Sequence, residues 1–162
     1  MSGAEAGRPA PAPDAPAPDP GVPAPPGGAL PPRAREALDA ARVLIAGRVE
    51  EGRHHVAAVA ATRGALHLGL NLECTLPRAT ICAEPGAIAA ARVAEPGAPI
   101  EVVVAVNRRG EVIPPCGVCR ELLVDYAPGC LVVVPGERAV PLRALLPEAW
   151  KEAERFGAAR SP

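Results

Sequence analysis

From Arg33 onward, apolar residues fall at Ala34, Ala37, Leu38, Ala41, Leu44 and Ile45. This spacing gathers them on one face and predicts an amphipathic helix over 33–46. Gly47 and Gly52 bracket a turn, after which the period changes. Residues 56–61 and 65–72 read as two strands around Arg63-Gly64, a hairpin. Small residues over 82–93 predict a second helix, with Pro85 in the first turn, where its missing N–H is tolerated. Residues 100–106 form a continuous β-branched run, the kind buried on both faces of a sheet. A helix over 117–126, a buried strand over 130–134 and a short helix over 142–146 complete the series. The order α-β-β-α-β-α-β-α predicts an α/β fold, a three-layer α-β-α sandwich with a mixed sheet. Its two central helices each begin at a cysteine.

The first 32 residues are a different material. Eleven of the chain's 22 prolines lie there, interleaved with Ala and Gly. So little apolar bulk cannot offset the entropy of ordering. The expected organisation is a disordered Pro/Ala-rich tail over 1–32, one domain over 33–150 and a C-terminal extension over 151–162. A tail of this kind can serve a proline-recognition domain, but an inert tail is the simpler expectation. At 162 residues the chain suffices for one domain with a sizeable core.

Composition narrows the function. Aromatics make up 2% of the chain: Tyr126, Trp150 and Phe156 are the three. The formal net charge of -1 argues against a basic nucleic-acid channel and toward a small or neutral substrate. No apolar run approaches the roughly 20 residues that cross a bilayer. The N-terminus lacks the basic-then-apolar order of a secretory signal, so a cytoplasmic protein is expected. Its five cysteines then read as reduced thiols, which favours metal ligation over disulfides.

Three of those cysteines carry the chemistry. Cys116 and Cys119 are three apart, so one helical turn turns both sulfurs to the same side. Cys82 opens the other helix. Two helix N-termini, each with free N–H groups and partial positive charge, would converge on one ion. Three thiolates fill three corners of a zinc tetrahedron and leave the fourth to water, as in catalytic sites. Glu84, two residues past Cys82, stands where it can move that water's protons. Arg120, directly after Cys119, is the local cation expected to draw off the excess negative charge.

Other readings of these residues stay open. A lone Cys-x-x-Cys also suits a redox pair or half of a structural zinc site. Cys74, Cys130, His54, His55 or His67 could each supply a fourth ligand and close the site. Cys74 and Cys130 read more simply as small buried hydrophobes. His67, on a strand of alternating character, reads as a surface or satisfied side chain.

The two motifs resemble the signatures of the cytidine deaminase superfamily. Thr80-Ile81-Cys82-Ala83-Glu84 looks like the first, with cysteine where the nucleic-acid-editing branch usually carries histidine. Pro115-Cys116-Gly117-Val118-Cys119-Arg120-Glu121 looks like the second. The resemblance covers nearly everything from Arg33 to Trp150. It implies a zinc-dependent hydrolase that converts cytidine, deoxycytidine or a related aminopyrimidine nucleoside to the uridine product plus ammonia. One zinc per subunit would sit on Cys82, Cys116 and Cys119, with Glu84 as the proton carrier. The implied assembly is a small homotetramer whose sites are completed by neighbouring subunits, with no nucleic-acid or membrane partner.

The same resemblance suggests the substrate contacts. Asn71-Leu72-Glu73 resembles the family's ribose-binding N-x-E element, since an amide and a carboxylate can hold two sugar hydroxyls. Leu145-Leu146-Pro147-Glu148-Ala149-Trp150 resembles the terminal segment whose aromatic packs over the pyrimidine of another subunit. Asn71, Glu73, Ala83 and Trp150 are therefore the expected substrate contacts. Without a ligand role, Asn71 and Glu73 would be a polar strand end and Trp150 an interface anchor.

Two departures bear on the substrate. Cytidine deaminases usually carry arginine after Cys-Ala-Glu, where this chain has Pro85. They also carry a phenylalanine before the first core strand, where this chain has His54-His55. Blasticidin S-type deaminases also lack that arginine, and Cys-Gly-x-Cys-Arg-x-Leu-Leu fits them. Glu73 favours cytidine, because the blasticidin branch usually replaces the ribose carboxylate. A zinc-stabilised binding protein without turnover is the rival from outside enzymes, and an intact Glu84 argues against it.

Overall fold

The computed structural model describes residues 29–150. The expected tail up to residue 28 and the extension over 151–162 lie outside the described residues. The first helix, α1 (Pro32–Ala46), starts one residue before the periodicity predicts, because proline at the start of a helix gives up an N–H that has no partner there. Just upstream, Leu30 is buried in the same core as α1, so the packed region reaches back past Arg33.

Among the described residues, three helices and six strands follow in the order α1, β1 (Val56–Thr62), β2 (Leu66–Leu70), α2 (Ala83–Ala94), β3 (Ile100–Asn107), β4 (Val112–Ile113), α3 (Gly117–Tyr126), β5 (Leu131–Val134) and β6 (Arg138–Pro141). The sheet order is β2-β1-β3-β5-β6, with β4 also paired to β3. β3 and β5 run parallel and the other pairs antiparallel, giving the expected mixed sheet. β5 pairs with Val102 and Val103, whereas β4 pairs with Ala105 and Val106 further along. One edge of β3 thus serves two partners in succession.

The period-two alternation of the central strands divides the core. Ala57, Val59, Ala61, Val102, Val104, Val106 and Val133 face α1, where they meet Ala34, Ala37, Leu38, Ala41 and Ile45. Ala58, Ala60, Val103, Ala105, Val132 and Val134 face the other way, toward Ala87, Ile88 and Ala91 of α2 and Leu123 of α3. Burying both faces requires continuous apolar strands, which these are.

Two strands go beyond the predicted elements. β4 has two residues, and β6 is a four-residue edge strand ending in Pro141, where a missing N–H faces no partner. The turn from β5 to β6 places Gly136 and Glu137 at φ 81° and 52°. A non-glycine residue there is uncommon, and Glu137 is held by Arg35 at 2.6 Å and Arg42 at 2.8 Å, both on α1. The helix expected over 142–146 is a single 3-10 turn, Leu142–Ala144.

Candidate active site

α2 and α3 begin at the same end of the sheet, the end where β2 and β3 finish. After β2 the chain doubles back, with Leu72 and Ile81 exchanging backbone hydrogen bonds at 2.9 and 3.0 Å. Cys82 therefore sits at the N-cap of α2, beside the end of β2. On the other side, β4 pairs with the last part of β3, and Pro114-Pro115 lead directly into Cys116 at the N-cap of α3.

This topology brings the three sulfurs of Cys82, Cys116 and Cys119 within 4.8 Å of one another. The Sγ atoms of Cys82 and Cys116 are 3.6 Å apart. Zinc–sulfur bonds of about 2.3 Å at tetrahedral angles would place sulfurs about 3.8 Å apart, so the donor set fits zinc. Cys82 and Cys116 are exposed and Cys119 is buried, which leaves an open side. Burial pushes the Cys116 thiol up, but this is outweighed. Hydrogen bonds from the Cys119 N–H and thiol, the Cys82 thiol and the Val118 N–H together hold it below the usual thiol value. The free N–H groups of the first turn thus favour a thiolate. Burial first, and then the Glu84 carboxylate, push Cys119 far up in the absence of a metal. Burial also raises Cys82, with the hydrogen bond to Cys116 and the charge of Glu84 adding to it. Cys82 and Cys119, pressed against a third sulfur beside a carboxylate, are poor thiolates until a cation neutralises them.

Glu84 lies in the first turn of α2 and is 4% exposed. Its charge is felt at both Cys82 and Cys119. Ala83, beside it, is fully buried against the sheet. That packing depends on a glycine. A Cβ on Gly69 of β2 would lie 2.3 Å from the Ala83 carbonyl oxygen and 2.5 Å from the Ala87 nitrogen. The first two turns of α2 therefore rest on bare backbone, which sets the height of Cys82 and Glu84 above the sheet.

On the β2 side of the site, Asn71 is buried and its Oδ1 accepts hydrogen bonds from the His55 and Val56 N–H groups, each at 2.8 Å. Its amide donates to Glu73 Oε1 at 3.0 Å. The expected substrate contact at Asn71 is thus engaged in joining β1 to β2 and steering Glu73. Glu73 itself is half-buried and is also met by the Thr80 hydroxyl at 3.4 Å.

Arg120 differs from expectation. Its Nε donates to the Pro115 carbonyl at 2.9 Å and its Nη1 to the Leu145 carbonyl at 3.0 Å. The guanidinium braces the chain entering Cys116 and ties it to the C-terminal segment, bonding carbonyls and not sulfurs. Trp150 is 61% exposed, with its backbone N–H donated to Glu121. Of the spare residues, Cys130 is buried as expected, and burial pushes its thiol up to about 12. Cys74 is exposed, contrary to expectation, because the sheet ends before it and its thiol reaches only the Ala79 carbonyl. His67 is buried and satisfied by Glu95 at 3.2 Å.

No protein-family model matches the chain. A blasticidin-S deaminase from Bacillus cereus is 37% identical over 94 residues, a match that takes in 52% of this chain and 66% of that protein. The chain thus spans just under two thirds of that relative's length. The crystal structure of cytidine deaminase from Mycobacterium tuberculosis superposes with a TM-score of 0.64 at 28% identity, covering 72% of this chain and 95% of that one. Cytidine deaminase from Mycobacterium leprae gives 0.61 at 26% identity, covering 70% and 97%. In sequence and in fold the chain is similar to the cytidine deaminase superfamily.

Within that superfamily frame, the structure brings Cys82, Glu84, Cys116 and Cys119 together and keeps Asn71 and Glu73 on the same end of the sheet. Two residues beside the site have contacts that the sequence does not show. Gly69 was legible only as a glycine inside a strand, a signal of close backbone approach. His55 was seen as half of a histidine pair, but its partners lie across the β1–β2 pairing, where sequence spacing says nothing.

Proposed function

We propose that this protein is a zinc-dependent nucleoside deaminase that converts cytidine or deoxycytidine to the uridine product and ammonia. The observation that carries the reading is the convergence of three cysteine sulfurs with a buried glutamate at two helix N-termini. Cys82, Cys116 and Cys119 would hold the metal. When bound, zinc lowers the pKa of a water and so supplies a nucleophile near neutral pH. Glu84 accepts a proton from the attacking water on its carboxylate. It passes that proton to the ring nitrogen, then takes the remaining hydroxyl proton and gives it to the departing amine, so that the C4–N bond breaks as C4=O forms. The N–H groups of Val118 and Cys119 help to lower the Cys116 thiol from its ordinary value, which favours metal ligation. Glu73, steered by Asn71, accepts a hydrogen bond from a sugar hydroxyl.

An exposed Trp150 supports a homotetramer in which the indole covers the base in a neighbouring subunit. No helix of the described residues is long and apolar enough to cross a membrane. This agrees with a small-molecule enzyme of the cytoplasm.

A zinc assay together with a nucleoside panel followed by ultraviolet absorbance tests the reading. One zinc per subunit and turnover of cytidine are expected. Stoichiometric zinc that persists in both Cys116→Ala and Cys119→Ala would remove the metal assignment.

A blasticidin S-type deaminase is the second reading, supported by the Bacillus cereus relative and by Pro85 in place of the usual arginine. Glu73→Ala separates the two. Loss of a charge-assisted hydrogen bond to the sugar should lower efficiency on cytidine roughly tenfold to a hundredfold with zinc retained. A parent that turns over blasticidin S alone, with Glu73→Ala indifferent, selects the second reading.

A further inference from the structure

We propose that His55 is a positioning residue that orients Glu73 toward the sugar hydroxyls of the substrate. The proposal rests on the nucleoside deaminase reading above and adds a residue to its specificity.

A chain of donors and acceptors sets the geometry. Asn71 Oδ1 accepts two backbone N–H bonds, from His55 and Val56, so the amide cannot flip without losing both. Its Nδ2 is therefore the donor to Glu73 Oε1 at 3.0 Å and to His55 Nδ1 at 3.3 Å. With Nδ1 accepting, the ring N–H of His55 is on Nε2. That atom lies 3.6 Å from Glu73 Oε1. Oε1 of Glu73 thus has two nitrogen neighbours, the Asn71 amide bonded to it and the His55 ring just beyond hydrogen-bond reach, while Oε2 has one neighbour, the Thr80 hydroxyl at 3.4 Å. The less engaged oxygen is left to accept from a substrate hydroxyl.

His54 plays no equivalent part. Its Nδ1 donates to the Asn71 carbonyl at 2.7 Å, which turns that ring to the main chain. The other side of His55 opens on a cavity of about 260 Å³ lined also by Glu50, Glu51, Gly52 and Arg108. Arg108 pairs with Glu51 there. Among the described residues, Glu73 is the carboxylate within ion-pair distance of the His55 ring.

The experiment compares cytidine with 2′,3′-dideoxycytidine, which lacks the hydroxyls in question, on the zinc-loaded parent and two variants. His55→Phe keeps a ring and removes the donor, whereas His55→Gln returns an N–H near the place of Nε2. For cytidine, His55→Phe should raise KM roughly fivefold, the scale of a partly exposed polar contact that tightens when substrate is bound, with kcat within about twofold. KM for the dideoxy substrate should not change, and His55→Gln should restore cytidine KM to within about twofold of the parent. Zinc content and melting temperature are read alongside. An equal rise for both substrates, or a His55→Gln variant no better than His55→Phe, overturns the proposal while leaving the deaminase reading intact. A parent that turns over no cytidine nucleoside overturns that reading and this inference with it.

Discussion

On one face of the sheet, α1 packs Leu38 and Ile45 against valines and is tied down at its exposed side by Arg35 and Arg42 on Glu137. On the other face, α2 meets the sheet through Ala58, Ala60 and the bare backbone of Gly69. The first helix is fastened by side-chain volume, the second by the closeness of two backbones. Volume can be trimmed at a cost in stability alone, because a cavity relaxes locally. A backbone contact cannot give without moving the helix, and with it Cys82 and Glu84. The chemistry stands on the face whose geometry is more tightly constrained.

The largest expected effect lies at the metal. Cys119→Ala should abolish zinc retention, read by metal analysis after dialysis. Leu38→Ala, on the opposite face, should cost about 2–5 kcal/mol of unfolding free energy and leave zinc at one per subunit. Zinc lost in proportion to stability in both variants would erase the contrast between the faces.

Next comes Glu84→Gln. The variant should keep fold and zinc while turnover falls at least about a hundredfold, the scale of a positioned acid–base group. Turnover within a few-fold of the parent would assign the proton transfers to another group.

Gly69→Ala sharpens the comparison at the seat of α2. A methyl group facing the Ala83 carbonyl forces the helix away, so zinc should exchange faster into a chelator and kcat should fall roughly tenfold. Gly86→Ala is the matched control. Its Cβ would be 3.6 Å from Gly69 Cα, an ordinary contact, so the variant should gain about 0.5–1 kcal/mol of stability from helix propensity with kcat unchanged. Equal behaviour of the two glycine variants would mean that close seating does not govern the site.

The smallest effect belongs to α1. Arg42 and Arg35 hold the Glu137 carboxyl below its ordinary range. A depressed folded-state pKa means that this pair stabilises the protein above the unfolded carboxylate pKa and that the contribution fades as pH falls through the folded value. Glu137→Gln should cost less than about 1 kcal/mol near neutral pH, because the pairs are exposed, and the difference from the parent should vanish in acid.

Long periodic segments were readable because burial on one or two faces leaves a mark on every residue. The α3 boundaries, Gly117–Tyr126, fall where the pattern places them, and those of α1, β1 and β3 within one residue. Short edge pieces left no such mark. Val112–Ile113 and Arg138–Pro141 are strands because β3 and β5 offer free edges to them, not because two to four residues carry a period. Cys74 departs from its expected burial for a related reason: a cysteine's burial depends on whether the sheet still runs beneath it.

The sequence by itself determined the layer order and marked three cysteines and a glutamate as the candidate site, since thiols and a carboxylate at helix starts are a local chemical pattern. Only the tertiary structure decided that Arg120 braces carbonyls, that Asn71 is engaged by the start of β1, and that His55 stands behind Glu73. Those roles depend on which strand lies beside which and in what register. Contacts between distant segments are set by packing, and no residue's own identity specifies its partner across a sheet.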